Sequence, residues 1–371
     1  MAKKKAKKKS TEETAAGNEK RPSRLQLEKL DREILALINK RAELTVSRAQ
    51  AGGPERGHSF AENADVLQKV VGLNEGPLRD DAVRAVFREL LSGSHGVGHR
   101  TRVAYLGPEY TYSHLAAIER FGQSAELMPV GTIASVFEEV ERRHAEYGLV
   151  PIENSTDGRV TDALDCLARS CVKICGEVPL RIRHCLLGIG ERSKIERVYS
   201  KTQPLSQCRN WLSKHLPGAQ LLEVASTAEA AQKAAKDASA AAIASQQAGA
   251  NYSLSILASS IEDNPDNVTR FAVISTESGG RTGNDKTALV FELDHQPGAL
   301  ADSMGIFKRH KLNLTWIESF PLPGQRGRYL FFVEFQGHAS ELRARRAIAS
   351  LEKKATRLTV LGSYAHAEAI G

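Results

Sequence analysis

Arg102-Val103-Ala104-Tyr105-Leu106-Gly107, followed by Ser113-His114-Leu115-Ala116-Ala117-Ile118-Glu119-Arg120-Phe121, decides the architecture. The first run is short, apolar and closed by glycine, as a buried strand is; the second repeats its apolar residues at helical spacing. The pair recurs downstream. YGLVPIE (147–153) precedes VTDALDCLA (160–168), RVYSK (197–201) precedes SQCRNWLSKH (206–215), QLLEVA (220–225) precedes TAEAAQKAA (227–235), and AAAIAS (240–245) follows. Such alternation predicts an α/β fold with substantially parallel strands, arranged as one domain or as two lobes around a cleft.

Two other segments flank it. Towards the N-terminus, Leu27, Leu30, Ile34, Leu37 and Leu44 form one long apolar stripe that stops at Ala51-Gly52-Gly53-Pro54. A second helix is expected from Phe60 to Val71, a turn at Glu75-Gly76-Pro77 and a third helix from Ala82 to Leu91. Residues 21–95 are thus all-α, with a core so small that a partner subunit is expected to complete it. Ser94-His95-Gly96-Val97-Gly98 reads as a linker into the α/β segment, 101–276. After the polar, Gly-rich stretch 277–283, TALVFEL, GALADSMGIFKRH, NLTWIESF, RYLFFVEF, ASELRARRAIASLEKK and RLTVLG give a βαββαβ order, the ferredoxin-like arrangement, over 285–365.

The 371 residues are 41% hydrophobic and 26% charged, which excludes a mostly disordered or collagen-like chain and fits two or three domains. The formal charge of +7 is local, because Lys3, Lys4, Lys5, Lys7, Lys8 and Lys9 supply six of those charges. Residues 1–20 read as a disordered, solubilising tail, and the near-neutral remainder makes nucleic acid an unfavoured partner. No apolar run is long enough to span a membrane, and no secretory apolar stretch follows the lysines. Five cysteines, an odd count without such a signal, suggest reduced thiols in a cytoplasmic protein. Cys171 and Cys175 are expected on one face of a strand as buried apolar thiols rather than as a metal site.

Three clusters can carry chemistry. Gly107 to His114 lies between strand and helix, where unpaired backbone N–H groups and the side chains of Thr111, Ser113 and His114 suit an anion. Pro151 to Gly158 brings Asn154 and Ser155 to a strand end, where α/β sheets usually bind ligands. In Asn267-Val268-Thr269-Arg270-Phe271, a guanidinium beside a buried strand demands an anionic partner, either an internal carboxylate such as Glu262 or Asp263, or a substrate. Together they outline a cleft for a small ligand bearing oxyanions, with no Walker loop, dinucleotide fingerprint or metal cluster in competition.

The strings YLGPEYTYSHLAA (105–117), VPIENSTDGRV (150–160), QCRNWL (207–212) with STAEAA (226–231), and IEDNPDNVTRFAVI (261–274) resemble prephenate dehydratase. Pro297-Gly298-Ala299-Leu300 and Glu318-Ser319-Phe320-Pro321 resemble the ACT regulatory domain, and the helical segment resembles chorismate mutase. The whole chain is similar to the bifunctional chorismate mutase/prephenate dehydratase family. That resemblance implies a two-lobed, periplasmic-binding-protein-like dehydratase domain that turns prephenate into phenylpyruvate, water and carbon dioxide without a cofactor. It implies Thr269 as hydrogen-bond donor to the departing hydroxyl and Arg270 as a carboxylate clamp, with Thr111, Ser113, His114, Asn154, Ser155 and Phe271 around the substrate. It further implies L-phenylalanine as effector at Gly298, Ala299, Leu300, Glu318 and Ser319, in a homodimer or homotetramer with no membrane association.

The chain departs from the family at identifiable places. Tyr110 stands where glycine is usual, Lys201-Thr202 where His-Pro is common, and Trp316 and Phe320 where arginines are frequent. In the mutase-like site Arg24, Arg41 and Ser94 match, but Gly52 replaces a lysine, Glu62 and Asn63 replace Arg and Glu, and Gly98 replaces a glutamine. The expectation is a degenerate mutase that survives as a dimerising scaffold; the alternatives are a fully bifunctional enzyme and a non-catalytic phenylalanine sensor.

Overall fold

The computed structural model describes residues 23–51, 60–97, 99–321 and 328–370. The tail 1–20, Gly52 and Gly98 lie outside the described residues, as do the side chains of Glu62 and Asn63.

Three helices come first: α1 (Arg24–Ala51), α2 (Phe60–Gly72) and α3 (Asp80–Gly96). Both α1 and α2 pack on α3. At 28 residues α1 is about 42 Å long at the rise of an α-helix. Helix α3 ties this unit to the rest of the chain: Arg88 pairs with Glu119 at 2.7 Å, and the Glu89 carboxylate accepts the Gln123 N–H at 2.8 Å.

The α/β segment follows. Its elements are β1 (Arg102–Leu106), α4 (Tyr112–Phe121), β2 (Glu126–Val130), α5 (Ile133–Glu141), β3 (Tyr147–Asn154), β4 (Gly158–Arg159), α6 (Thr161–Arg169) and β5 (Lys173–Arg181). Next come β6 (Cys185–Gly188), β7 (Arg197–Ser200), α7 (Thr202–Gln207), α8 (Arg209–His215), β8 (Gln220–Glu223) and α9 (Thr227–Ala234). The segment closes with β9 (Ala240–Ala244), α10 (Gln246–Asn251), β10 (Ser255–Ala258) and β11 (Val268–Ser275). These strands build two sheets, in the orders β2-β1-β3-β11-β5, with β4 on β3, and β10-β6-β9-β7-β8.

The sheets are mixed rather than substantially parallel. β1, β2 and β3 run parallel, as do β7, β8 and β9, each joined through a helix. Strand β11 runs against both β3 and β5 in the first sheet, and β6 against both β9 and β10 in the second. These two strands are the first that the chain forms on arriving from the other sheet, so they enter without a crossover helix. Glu262, almost fully buried, knots these two passages together: its carboxylate pairs with Arg183 at 2.9 Å and accepts the His184 N–H at 2.8 Å.

The last segment is β12 (Asp285–Leu293), α11 (Ala299–Arg309), β13 (Leu314–Pro321), β14 (Tyr329–Gln336), α12 (Leu342–Glu352) and β15 (Arg357–Ala365). Its antiparallel sheet, β13-β14-β12-β15, realises the expected βαββαβ order. One face packs on α11 and α12 through Phe291, Ile306, Phe307 and Leu351. The other joins the core of the first sheet and α5 and α6, where Trp316, Phe320, Leu330 and Phe332 meet Ile133, Phe137 and Leu164. Backbones touch here: a Cβ on Gly362 of β15 would lie 2.1 Å from the Ile174 carbonyl oxygen of β5, so no larger residue fits.

The cysteines divide. Cys185 and Cys208 are buried and Cys166 and Cys175 half-buried, but Cys171 is exposed, because β5 begins only at Lys173 and leaves it in the preceding bend. Among the described residues no His/Cys/Asp/Glu cluster could hold a metal, and no helix is long and apolar enough to cross a membrane.

Candidate functional site

A cavity of about 400 Å³ lies between the two α/β sheets. From the first sheet it is lined by the β1–α4 turn, the end of β3 and the start of β11; from the second, by residues before and within α7 and by the start of α9. The side chains forming its walls therefore come from strand ends and first helical turns, where backbone donors are unpaired.

Thr269 is central. Strand β11 alternates, so Thr269 and Phe271 face the cavity. Register places Thr269 opposite Asn154 of β3, and the Asn154 amide donates to the Thr269 hydroxyl oxygen at 2.8 Å. That amide is itself fixed. Its second N–H reaches Asn267 Oδ1 at 2.9 Å, and its oxygen accepts the backbone N–H groups of Thr156 and Asp157 at 2.9 and 3.0 Å. A hydroxyl that accepts from a fixed amide keeps its own proton free to donate. Apolar side chains share the cavity lining with it: Phe271, Ile133, Pro151, Val160 and Leu106.

Thr111 and Ser113 also line the cavity. Thr111 caps α4, its hydroxyl accepting the His114 N–H and donating to the Pro108 carbonyl. Tyr112, between them, donates its hydroxyl to the Arg183 carbonyl at 2.7 Å and lies 3.0 Å from His184 Nδ1. His184 Nε2 is 2.9 Å from Gln207 Oε1, and the Gln207 amide donates to Asp157 at 2.8 Å. Burial lowers the His184 pKa, against weaker opposing effects of Gln207, Glu262 and Asp157, so the ring is neutral near pH 7. This chain of bonds laces both lobes together behind the cavity.

Three sequence expectations are corrected. Arg270 does not line the cavity. The alternation that turns Thr269 inward turns Arg270 outward, where its guanidinium meets Glu153 at 2.9 Å, Glu177 at 2.9 Å and Glu334 of β14 at 2.6 Å. Its anionic partners are internal, though not Glu262 or Asp263. His114 sits one helical step past Ser113 and is rotated away; its Nδ1 accepts the Tyr110 N–H at 3.0 Å and its ring stacks on Tyr105. Ser155 joins strand ends instead of lining the cavity, accepting the Val268 N–H at 2.9 Å and donating to the Asp266 carbonyl.

Around Arg270 lies a buried ionic cluster. Lys286 of β12 reaches Glu177 at 3.0 Å and Glu334 at 3.4 Å, while Tyr364 and Thr315 donate to Glu334 at 2.5 and 2.6 Å. Burial alone would raise the Glu177 pKa, but His366, Arg270, Lys286 and the Ala367 N–H outweigh it and bring it to about 2. Burial would lower the Arg270 pKa, but Glu334 and Glu177 outweigh it and raise it. The cluster binds the face of β11 opposite Thr269 to the third sheet, a link invisible in local sequence.

Tyr110, where the resemblance leads one to expect glycine, has φ +64°, a left-handed conformation that disfavours a side chain. Its ring packs edge-on against His114 and, across the cleft, Tyr252.

The remaining expected residues fall into two groups. Gly298, with φ +86°, opens α11 ahead of Ala299 and Leu300. Glu318 and Ser319 lie on the edge strand β13, where Arg159 Nη1 pairs with the Glu318 carboxylate at 2.8 Å and donates to the Ser319 carbonyl at 3.4 Å. In the helical unit Arg41 donates to the Ser94 hydroxyl at 3.2 Å, whereas Arg24, highly exposed, pairs among the described residues with Glu28 on its own helix.

Sequence reasoning did not assign Lys201, Gln207, His184, Asn267, Ser226 or Thr227. The capping signature Ser226-Thr227 at the start of α9 marked one of these places, since the Ser226 hydroxyl accepts the Glu229 N–H. Lys201 carried no such mark; only the meeting of the lobes brings it to the cavity.

Residues 103–279 match the family model for prephenate dehydratase, and residues 23–97 that for chorismate mutase type II. The chain is 40% identical over 348 residues to the bifunctional chorismate mutase/prephenate dehydratase of Aquifex aeolicus, covering 92% of this chain and 96% of that protein. It is 40% identical over 297 residues to arogenate dehydratase 2 of Petunia hybrida, covering 74% of each. A crystal structure of prephenate dehydratase from Arthrobacter aurescens in complex with L-Phe superposes with TM-score 0.67 at 34% identity, over 72% of this chain and 90% of that one. Two family models in the right order, a relative matched over nearly its whole length and a cleft built from the matching strand ends converge: this chain belongs to the bifunctional chorismate mutase/prephenate dehydratase family.

Proposed function

We propose that the cleft converts prephenate to phenylpyruvate, water and carbon dioxide, with Thr269 as donor to the departing hydroxyl. The observation that carries this reading is the Thr269–Asn154 pair, whose 2.8 Å hydrogen bond leaves the threonine proton free towards the cavity. A threonine hydroxyl is a poor acid, so its work is to hydrogen-bond the oxygen as negative charge develops there. Aromatisation of the ring supplies the driving force. The apolar wall of Phe271, Ile133 and Pro151 leaves the ring carboxylate poorly solvated, which favours its loss as neutral carbon dioxide. Thr111 and Ser113 hold the remaining oxygens, and the reaction needs no cofactor.

The βαββαβ segment reads as an ACT domain that takes L-phenylalanine near Gly298, Ala299, Leu300, Glu318 and Ser319. Arg159 supports a route from that segment to the cleft, since β4, which carries it, hydrogen-bonds to β3 at Asn154. Trp316 and Phe320, in place of the family's arginines, are buried against the dehydratase core and are therefore removed from effector contact.

The helical unit reads as a scaffold rather than a working mutase. Arg41 and Ser94 are held together, which favours the bifunctional alternative. However, Gly52 and Gly98 stand where the family has the donors to the breaking ether oxygen, and one such donor is typically worth about 3–4 kcal/mol. Leu27, Leu30, Ile34 and Leu37 are each more than half exposed in a single chain, a face suited to a second copy in a cytoplasmic homodimer or homotetramer.

The test is phenylpyruvate formation from prephenate by the unmodified protein and by Thr269→Val and Thr269→Ser. Valine is expected to lower kcat at least a hundredfold with thermal stability retained, and serine to restore most of it. Near-normal turnover by the valine variant would remove Thr269 from the reaction.

A further inference from the structure

A site for a dicarboxylate needs a cation, and Arg270 is unavailable because three carboxylates hold it on the far face of β11. Among the residues that line the cavity, the only Lys or Arg is Lys201. It sits immediately before α7, on the second lobe, facing a cavity whose first-lobe wall carries Thr269. Its ammonium has no hydrogen-bonding or ionic partner among the described residues. Among the described residues neither carboxylate that shares the lining, Asp157 or Asp162, forms an ion pair with it, and the Asp157 carboxylate accepts from the Gln207 amide.

We propose that Lys201 binds the carboxylate of the substrate's three-carbon side chain and thereby selects an α-keto side chain over an α-amino one. The proposal rests on the dehydratase reading and assigns the anion clamp that reading leaves open. Two arguments fix which carboxylate it holds. The ring carboxylate loses its charge as the C–C bond breaks, its electron pair passing into the ring while the C–O bond breaks and hydroxide leaves, taking a proton from solvent to become water. A cation on that carboxylate would stabilise the ground state more than the transition state and slow the reaction. The side-chain carboxylate keeps its charge throughout, so a cation there tightens binding without opposing chemistry. An α-ammonium two bonds from that carboxylate would lie against the lysine and be repelled, whereas an α-keto oxygen is tolerated or attracted. The specificity thus comes from one exposed side chain on the second lobe.

The experiment compares unmodified protein with Lys201→Met and Lys201→Arg, using prephenate, its α-amino counterpart arogenate, and phenylpyruvate as competitive inhibitor. Phenylpyruvate retains the side-chain carboxylate and lacks the ring one. Lys201→Met is expected to raise KM for prephenate at least tenfold, with the loss in KM rather than kcat, and to weaken phenylpyruvate inhibition by a similar factor. Discrimination against arogenate is expected to narrow, and Lys201→Arg to recover KM within about threefold. A KM for prephenate that does not move on Lys201→Met overturns the proposal while the dehydratase reading stands. A raised KM with unchanged phenylpyruvate inhibition also overturns it, by placing Lys201 on the ring carboxylate. No turnover of prephenate by the unmodified protein overturns the dehydratase reading itself.

Discussion

The dehydratase body and the helical unit close their surfaces in opposite ways. In the body, the third sheet covers the core of the first, and a buried cluster of Arg270, Lys286, Glu177 and Glu334 ties the two together. In the helical unit, α1 leans on α3 alone among its neighbours with substantial contact and leaves most of its leucines exposed. The body buries its apolar residues within one chain; the helices leave those of α1 exposed. That difference matches the chemistry assigned to each, because a cleft must hold Thr269 and Asn154 to within a fraction of an ångström, whereas a scaffold needs only to join.

Breaking the buried cluster is expected to have the largest effect. Arg270→Met takes the guanidinium from three carboxylates and leaves Lys286 to serve the two that are almost fully buried; removing one partner of such a group typically costs about 3–5 kcal/mol. Denaturant unfolding should show that loss, and a change below about 1 kcal/mol would deny the cluster its role. Acid attacks the same place. The Glu177 pKa is depressed from 4.5 to about 2, so its stabilisation is present above the unfolded value and is lost as pH falls through that window. A shift of that size corresponds to roughly 3 kcal/mol; stability measured between pH 5 and pH 2 should fall, and Glu177→Gln should flatten the fall.

Smaller effects sharpen the contrast from the cleft's side. Asn154→Ala frees the Thr269 hydroxyl to rotate, and kcat is expected to drop about a hundredfold with little change in KM, the scale of one lost transition-state hydrogen bond. On the helical side, Leu30→Asp with Ile34→Asp should dissociate the proposed homo-oligomer in sedimentation experiments yet leave prephenate turnover per chain within about twofold. Dissociation accompanied by loss of turnover would show that the body is not self-sufficient.

Much of this was legible in the chain. Strand and helix alternation marked the α/β segment, and the βαββαβ order of the last segment followed from its apolar periods. Thr269, Asn154, Thr111, Ser113 and Phe271 reach the cavity because strand ends and first helical turns are where such residues point. Arg270 was misread although the period of a strand places neighbours on opposite faces; its charge suggested a ligand, and its carboxylate partners come from strands 64 to 117 residues away. Lys201 was passed over for a related reason. Its place opposite Thr269 depends on how two sheets are hinged, which no local pattern encodes.

The most direct measurement gives the purified protein prephenate in one arm and chorismate in the other and follows phenylpyruvate. The account predicts rapid product from prephenate, and chorismate consumed no faster than it rearranges unaided. Chorismate consumed at a catalysed rate would restore the mutase, and no product from prephenate would contradict the dehydratase cleft at the centre of the account.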